Sequence, residues 1–268
     1  MISCKDYVTY AKGELKEKIE ELKTKPRLVV FQVDDDPASN SYIKGKRKDC
    51  EEVGIEFIHK RINSDIVSQT EFEDMVSSES ADPKVNGIII QLPIPKEYDL
   101  ESLKKCIFHS KDVDGFRIAS KFKPCTPKGI IDWLEFNEID LQGKDIVVIG
   151  RSDIVGKPLV NMFIEKGATV TCCNSKTDNI KYYTRNADIV VSAIGKAKHF
   201  DSKYFRQGQI IIDVGINRDE NGKLCGDVDG KYIYNSYVTP VPNGVGLLTR
   251  VGLLQNVYIS HMIYENVL

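Results

Sequence analysis

The sequence predicts an α/β protein of two domains, the second carrying a mostly parallel sheet, and three observations predict it. Short β-branched runs alternate with amphipathic stretches along the first half, at the spacing of βαβ units. A strand near the middle, residues 144–149, runs into Gly150 and then into a helical apolar stripe of Leu159, Val160, Met162 and Phe163. Between these regions, residues 121–127 hold two prolines and break the alternation, which marks the first crossing between domains.

Taken in order, the first helix is expected within residues 1–25, where Val8, Ala11, Leu15, Ile19 and Leu22 recur at helical spacing amid charges of both signs. That mixture of charge suits a packed helix and not a signal or transit peptide. Strands are expected at 27–33, 55–62 and 85–92, with helices at 39–53, 69–77 and 100–108. A helix at 128–136 leads into strands at 144–149, 168–173, 187–194 and 209–214, the last two followed directly by Gly195 and Gly215. Residues 245–267 form a final helix after a turn rich in proline and glycine. The expected domains are 1–122, completed by the terminal helix 245–268, and 123–244.

Composition bounds the partners. With 268 residues, 41% hydrophobic and 28% charged, the chain has room for two modest cores. A formal charge of −2 gives no basis for nucleic acid as a partner, and no apolar run approaches the length of a bilayer span. The seven cysteines show no C-x-x-C spacing, so reduced thiols in a cytoplasm are expected, with no metal site.

The run Gly150 Arg151 Ser152 Asp153 Ile154 Val155 Gly156 joins a buried-type strand to a helix start, whose unpaired N–H groups suit a phosphate. The usual dinucleotide fingerprint has glycine where Ser152 stands, and an ordinary strand-to-helix turn reads similarly. The next strand ends in Asn174 Ser175 Lys176 Thr177, without the carboxylate that accepts from an NAD ribose. Arg151, Ser175 and Lys176 fit a 2′-phosphate instead, so the expected cofactor is NADP, held in a Rossmann-like domain. Gly195 and Gly215 fall where cofactor and backbone approach closely.

In the first domain, Tyr42 and Lys46 stand four apart, on one helix face in line with Cys50. A solvated basic helix gives the same pattern; a Lys46 facing the interior instead sits where loss of water favours an amine without its proton, fit for a general base. Tyr-x-x-x-Lys also marks short-chain dehydrogenases, but there it follows the cofactor turn and here it precedes it. Gln91 ends an apolar strand at its carboxyl end, where open α/β sheets bind ligands. The segment Lys111 Asp112 Val113 Asp114 Gly115 Phe116 ends in an Asp-Gly turn signal that needs no function by itself, whereas an Asp114 buried beside a cleft could accept paired hydrogen bonds from a pterin-like ring edge.

With these elements in this order, the chain resembles the bifunctional methylenetetrahydrofolate dehydrogenase/methenyltetrahydrofolate cyclohydrolase family. The resemblance also rests on Asp36 Pro37 Ala38 Ser39, Gln91 Leu92 Pro93, Pro124 Cys125 Thr126 Pro127, Asp213 Val214 Gly215 Ile216, Gly226 Asp227 Val228 and Thr239 Pro240 Val241 Pro242. It implies two α/β domains flanking a cleft, tetrahydrofolate one-carbon derivatives as substrates, and homodimers formed through the nucleotide domains. Lys46 would then be the cyclohydrolase base or proton relay, Tyr42 would pack on the pterin, Gln91 would tune Lys46 and Asp114 would anchor the pterin. Ile90, Leu92, Pro242 and Gly244 would line the substrate beside them. Gly150, Arg151, Ser152, Val155, Gly156, Ser175, Gly195, Gly215 and Ile216 would hold NADP. The chain departs from the family pattern at Arg117 and 118–122, at Asn174, at Asn243 and at Leu247 Leu248. Two alternatives are a monofunctional NAD-dependent dehydrogenase and a non-catalytic NADP-sensing protein.

Overall fold

The computed structural model describes residues 1, 3–117 and 120–265. In chain order the elements are α1 (Cys4–Glu20), β1 (Arg27–Val33), α2 (Pro37–Val53), β2 (Glu56–Ile62), α3 (Gln69–Ala81), β3 (Gly87–Gln91) and α4 (Leu100–Lys105). There follow α5 (Cys125–Phe136), β4 (Asp145–Ile149), α6 (Gly156–Glu165), β5 (Thr169–Cys173), α7 (Ile180–Asn186), β6 (Ile189–Ser192) and β7 (Ile210–Asp213). Three short strands, β8 (Asn217–Arg218), β9 (Leu224–Cys225) and β10 (Tyr237–Val238), precede α8 (Val245–Tyr264). The chain forms two compact units: Tyr10–Cys125 with Arg250–Leu268, and Met1–Thr9 with Thr126–Thr249.

The first unit is built on a parallel sheet in the order β2-β1-β3. β1 is the middle strand, and from Leu28 to Val33 every side chain is buried. That explains the unbroken apolar run Leu28 to Phe31, with Gln32 the one buried polar residue before Val33: a strand covered on both faces has no solvent side to alternate with. One face packs Leu28, Val30 and Ile89 against Leu15 and Ile19 of α1, Ile43 and Val53 of α2, and Leu253 and Val257 of α8. The other packs Phe31, Ile88 and Ile90 against Phe72, Val76 and Leu103 of α3 and α4. At about 2 kcal/mol for each large apolar side chain fully buried, these two layers drive the folding of the unit.

The second unit holds a five-stranded parallel sheet in the order β10-β7-β6-β4-β5. The chain enters at β4, turns outward to β5, then crosses to β6 on the other side, so the strand order reverses beside β4. Ligands of open α/β sheets lie outside the carboxyl ends of the strands at such a reversal. The first turns of α1 join this unit: Tyr7 stacks at 5.1 Å on Phe136. Burial pushes the Cys4 thiol up to about 11, and a hydrogen bond with Tyr237 opposes the shift.

Most expected elements are present with ends shifted by a few residues. The helix expected at 100–108 stops at Lys105, where Cys106 caps it onto the Leu103 and Lys104 carbonyls. The terminal helix reaches Tyr264, and the expected end at Val267 lies outside the described residues. α7 and the strands β8, β9 and β10 were not anticipated, being too short for periodicity to register. β8 and β9 pair antiparallel.

Candidate functional site

Helix α2 is fixed at both ends by local chemistry. Asp36 caps its start by accepting from the Ser39 N–H at 2.7 Å, Pro37 occupies its first turn, and Gly54 ends it in the left-handed region at φ 87°. Along its inner face Ser39, Ile43, Lys46, Cys50 and Val53 are buried. Lys46 therefore takes a core position, with only 8% of its surface exposed, whereas Lys44, Arg47 and Lys48 are exposed.

The Lys46 amine donates to Gln91 Oε1 at 3.1 Å and stands 5.9 Å from the centre of the Tyr42 ring. The amide of Gln91 has a defined orientation because its Nε2 donates to the Leu92 carbonyl at 2.8 Å, which turns the oxygen toward the lysine. The same Leu92 carbonyl accepts from Ser39 Oγ at 3.4 Å. The strand end and the first turn of α2 are thereby tied together around Lys46. Ile90 faces the other way: its side chain lies in the α3 and α4 core, because alternate residues of a strand point to opposite faces.

Tyr42 is half-buried, and burial raises its phenol pKa; the Arg250 charge opposes the shift and the Asp114 charge adds to it. Tyr42 is thus a neutral aromatic surface. Asp114 is half-buried. The buried carboxylate of that turn is Asp112, which accepts from the Phe116 N–H at 3.3 Å and the Arg117 N–H at 3.0 Å, and burial raises its pKa. Asp112 shapes the turn and Asp114 sits on it. Arg117 donates to the Ile107 carbonyl, while Ile118 and Ala119 lie outside the described residues.

Arg250 went unanticipated. Its guanidinium lies on Gly45, where a Cβ would come within 2.2 Å of Nη1. Its Nε is 2.9 Å from Asp49, which is also 2.7 Å from the Lys12 amine. No periodicity rule links positions 45 and 250, so the sequence carries no signal for this contact.

In the second unit β4 ends at Gly150, whose φ of 120° excludes other residues without strain. A Cβ there would lie 2.4 Å from the Ala193 carbonyl beyond β6. One on Gly156 would lie 2.2 Å from the Gly150 carbonyl. Two bare backbones thus meet at the strand reversal, and α6 starts against the strand. Arg151 and Ser152 are exposed on this turn and Val155 is half-buried.

The N–H groups at the start of α6 are not open, as the sequence had suggested. Those of Val155 and Gly156 point to Ser152 Oγ, each at 3.3 Å. Both bonds are longer than the usual N–H···O range, so a phosphate oxygen would be the stronger acceptor at the same place. This hydroxyl explains how serine stands where the fingerprint has glycine.

At the end of β5, Asn174 and Thr177 make the turn: the Asn174 N–H donates to Thr177 Oγ1 at 2.9 Å and the Lys176 N–H to Asn174 Oδ1 at 3.0 Å. Ser175 and Lys176 are exposed on it, and positions 174–177 bear no carboxylate. Gly195, at φ 67°, follows β6, and Gly215 and Ile216 follow β7, with Ile216 half exposed. The close glycine backbones, the replaceable hydroxyl and the cationic and hydroxyl side chains fit a phosphorylated dinucleotide. Pro242 and Gly244 belong to this same unit. Between them Asn243 adopts φ 75°, and a Cβ on Gly244 would meet the Pro240 carbonyl at 2.1 Å.

Comparison with known proteins gives one consistent result. Residues 2–114 match the model of the tetrahydrofolate dehydrogenase/cyclohydrolase catalytic domain, and residues 124–264 that of the family's NAD(P)-binding domain. The bifunctional protein FolD of Bacillus cytotoxicus is 43% identical, with 91% of this chain and 90% of that protein covered. The crystal structure of the bifunctional FolD dehydrogenase/cyclohydrolase from Campylobacter jejuni superposes with a TM-score of 0.94 at 40% identity, covering 99% of this chain and 98% of that one. The Trypanosoma brucei FolD structure, complexed with NADP cofactor and an inhibitor, gives 0.92 at 27% identity, covering 98% and 97%.

Proposed function

Because the chain belongs to the tetrahydrofolate dehydrogenase/cyclohydrolase family, we propose that it oxidises 5,10-methylenetetrahydrofolate with NADP+ and hydrolyses the product to 10-formyltetrahydrofolate. The observation that carries this reading is the buried Lys46 amine, held by Gln91 beside Tyr42 in the unit that matches the catalytic domain.

The two reactions ask for different help. Removing hydride from the one-carbon bridge leaves a cation that both flanking nitrogens stabilise, so this step needs alignment more than acid or base. When bound, NADP+ supplies the hydride acceptor; Gly150, Arg151, Ser152, Val155, Gly156, Ser175, Gly195, Gly215 and Ile216 are the residues assigned to hold it. The absence of a carboxylate at 174–177, with Lys176 and Arg151 exposed nearby, supports NADP over NAD.

Hydrolysis requires water to add to the methenyl carbon, give up a proton, and then open the ring. Lys46 is assigned as the acceptor of that proton or its relay. Gln91 accepts from the amine through an oxygen whose direction is fixed, and so holds its position through the proton transfer. Tyr42, neutral and half-buried, offers a face for the pterin, and Asp114 an acceptor for its ring edge. Leu92 lies beside Gln91 at the strand end in this reading, and Ile90 only supports the strand.

Absorbance assays with methylenetetrahydrofolate, run in parallel with NADP+ and NAD+, test the reading. Turnover with NADP+ is expected, and no turnover with either cofactor would overturn it. Lys46→Met should lower cyclohydrolase turnover by about a hundredfold or more and hydride transfer by much less. Equal cyclohydrolase rates in a folded variant would remove Lys46 from the role. The same proposal takes the protein as a cytoplasmic homodimer joined through its nucleotide units. Sedimentation at the 30.2 kDa mass of one chain would contradict the dimer. Among the described residues no helix is long and apolar enough to cross a membrane.

A further inference from the structure

Two buried aspartates stand at the centre of the second unit, and neither belongs to the phosphate turn. Asp227, 0% exposed, accepts from five donors. Ser192 Oγ, the Ile194 N–H and the Gly195 N–H reach Oδ2 at 3.0, 2.8 and 3.3 Å. The Lys196 N–H and Asn217 Nδ2 reach Oδ1 at 2.8 and 2.9 Å. Asp213, 3% exposed at the end of β7, accepts from the N–H groups of Gly215, Asp227 and Val228 at 3.0, 2.9 and 2.9 Å.

The two carboxylates interlock through glycines. A Cβ on Gly215 would lie 2.3 Å from Asp227 Oδ1, and one on Gly226 would lie 1.8 Å from Asp213 Oδ2. Each carboxylate rests on the bare backbone of a glycine near the other aspartate. The segments so joined are the loop after β6, the loop after β7 and the 226–228 strand-like stretch. The first of these begins at Ala193, the residue whose carbonyl Gly150 admits at the strand reversal.

We propose that Asp227 and Asp213 are positioning residues of the cofactor site, which hold the Ile194–Lys196 and Gly215–Asn217 backbones in the shape that dinucleotide binding requires. This rests on the reading that the unit binds NADP. An ionised carboxylate only accepts, so it enforces loops whose N–H groups converge. An amide of the same shape would turn a donor onto at least one of them. Buried donors left without an acceptor destabilise that arrangement.

Burial raises the Asp213 carboxyl to about 6, with the nearby Asp227 charge adding to the rise and the three N–H donors opposing it. The other charged groups lining the cavity on which Asp213 opens are Lys198, Asp219, Lys223 and Asp229, and the Cys225 thiol lines it too. Below that pH a proton on Asp213 faces an N–H, and the clamp loses an acceptor. The cofactor KM of the wild-type enzyme should therefore rise as pH falls through about 6, and that of Asp213→Asn should be high and flat across this range.

Steady-state kinetics with NADP+ test the inference. Asp227→Asn should raise the cofactor KM at least about tenfold with kcat within about threefold, in protein whose circular dichroism matches wild type. Asn217→Ala and Ser192→Ala leave the carboxylate in place, so they carry the test if Asp227→Asn does not fold; each should raise KM about two- to fivefold. KM values unchanged in the folded variants, or an Asp213→Asn profile that follows wild type, would overturn the proposal. If the wild-type enzyme proves to use NAD+, the same comparisons are made with NAD+. The clamp holds backbone, not the 2′-phosphate, so an error in cofactor identity leaves its test intact.

Discussion

Single residues decide whether the two sites keep their shape. Gly156 is one such residue, because its Cβ position lies 2.2 Å from the Gly150 carbonyl and 2.9 Å from the Arg151 Cα. Both neighbours are backbone, so neither can rotate away. Gly156→Ala should shift α6 off the strand end, cost about 1–3 kcal/mol and raise the NADP+ KM more than it changes cyclohydrolase turnover. Urea unfolding with parallel kinetics reads both effects; an unshifted midpoint and KM would show that the turn relaxes freely. At this scale Lys46, Tyr42 and Gly150 were legible from the sequence, since fixed offsets on a helix or at a strand end locate them. Asp227 was not, although it lies in a motif. Its partners are backbone N–H groups about thirty residues away in the chain, at Ile194, Gly195 and Lys196, and convergence of that kind leaves no local pattern. A related limit applies to the 111–116 turn: a motif with two aspartates does not reveal that the fold encloses Asp112 and leaves Asp114 half-buried.

Among the elements, α2 has the largest consequence, for it carries Tyr42 and Lys46 on one helix whose start rests on Asp36. The Asp36 carboxylate accepts from the Ser39 N–H at 2.7 Å, and Ser39 Oγ reaches the Leu92 carbonyl that also orients Gln91. Asp36→Ala should cost about 1 kcal/mol through the lost cap and should slow cyclohydrolase turnover several-fold through the loosened Lys46 to Gln91 contact. Asp36→Asn, which can still cap, should recover most of both. An alanine variant that loses stability but keeps full turnover would separate the cap from the site. The long elements were legible because burial on both faces gives β1 its apolar run from Leu28 to Phe31, and burial on one face gives α2 its stripe. The two-residue strands β8, β9 and β10 are set by pairing partners alone, so nothing in their own residues announces them.

At the scale of the whole molecule, buried titratable groups make stability depend on pH, and their signs differ. Asp213 is raised by burial from 3.8 to about 6. The native state therefore binds its proton more tightly than the unfolded state does. Its contribution is greatest below about pH 4, falls as pH rises through about 6, and is constant above. His59 and His261 behave oppositely: burial lowers both, so the stability they contribute is present above their unfolded value and is lost as pH falls. Asp112, also raised by burial, follows Asp213. A single stability curve would mix these groups, but the difference between wild type and Asp213→Asn removes every group that the two share. That difference should shift against wild type by up to about 3 kcal/mol from pH 4 to 6.5 and then level off. Urea unfolding of both proteins across this range supplies the measurement. Parallel curves would mean that Asp213 does not take up its proton in this window, and the pH-dependent part of the loop clamp would fall with it.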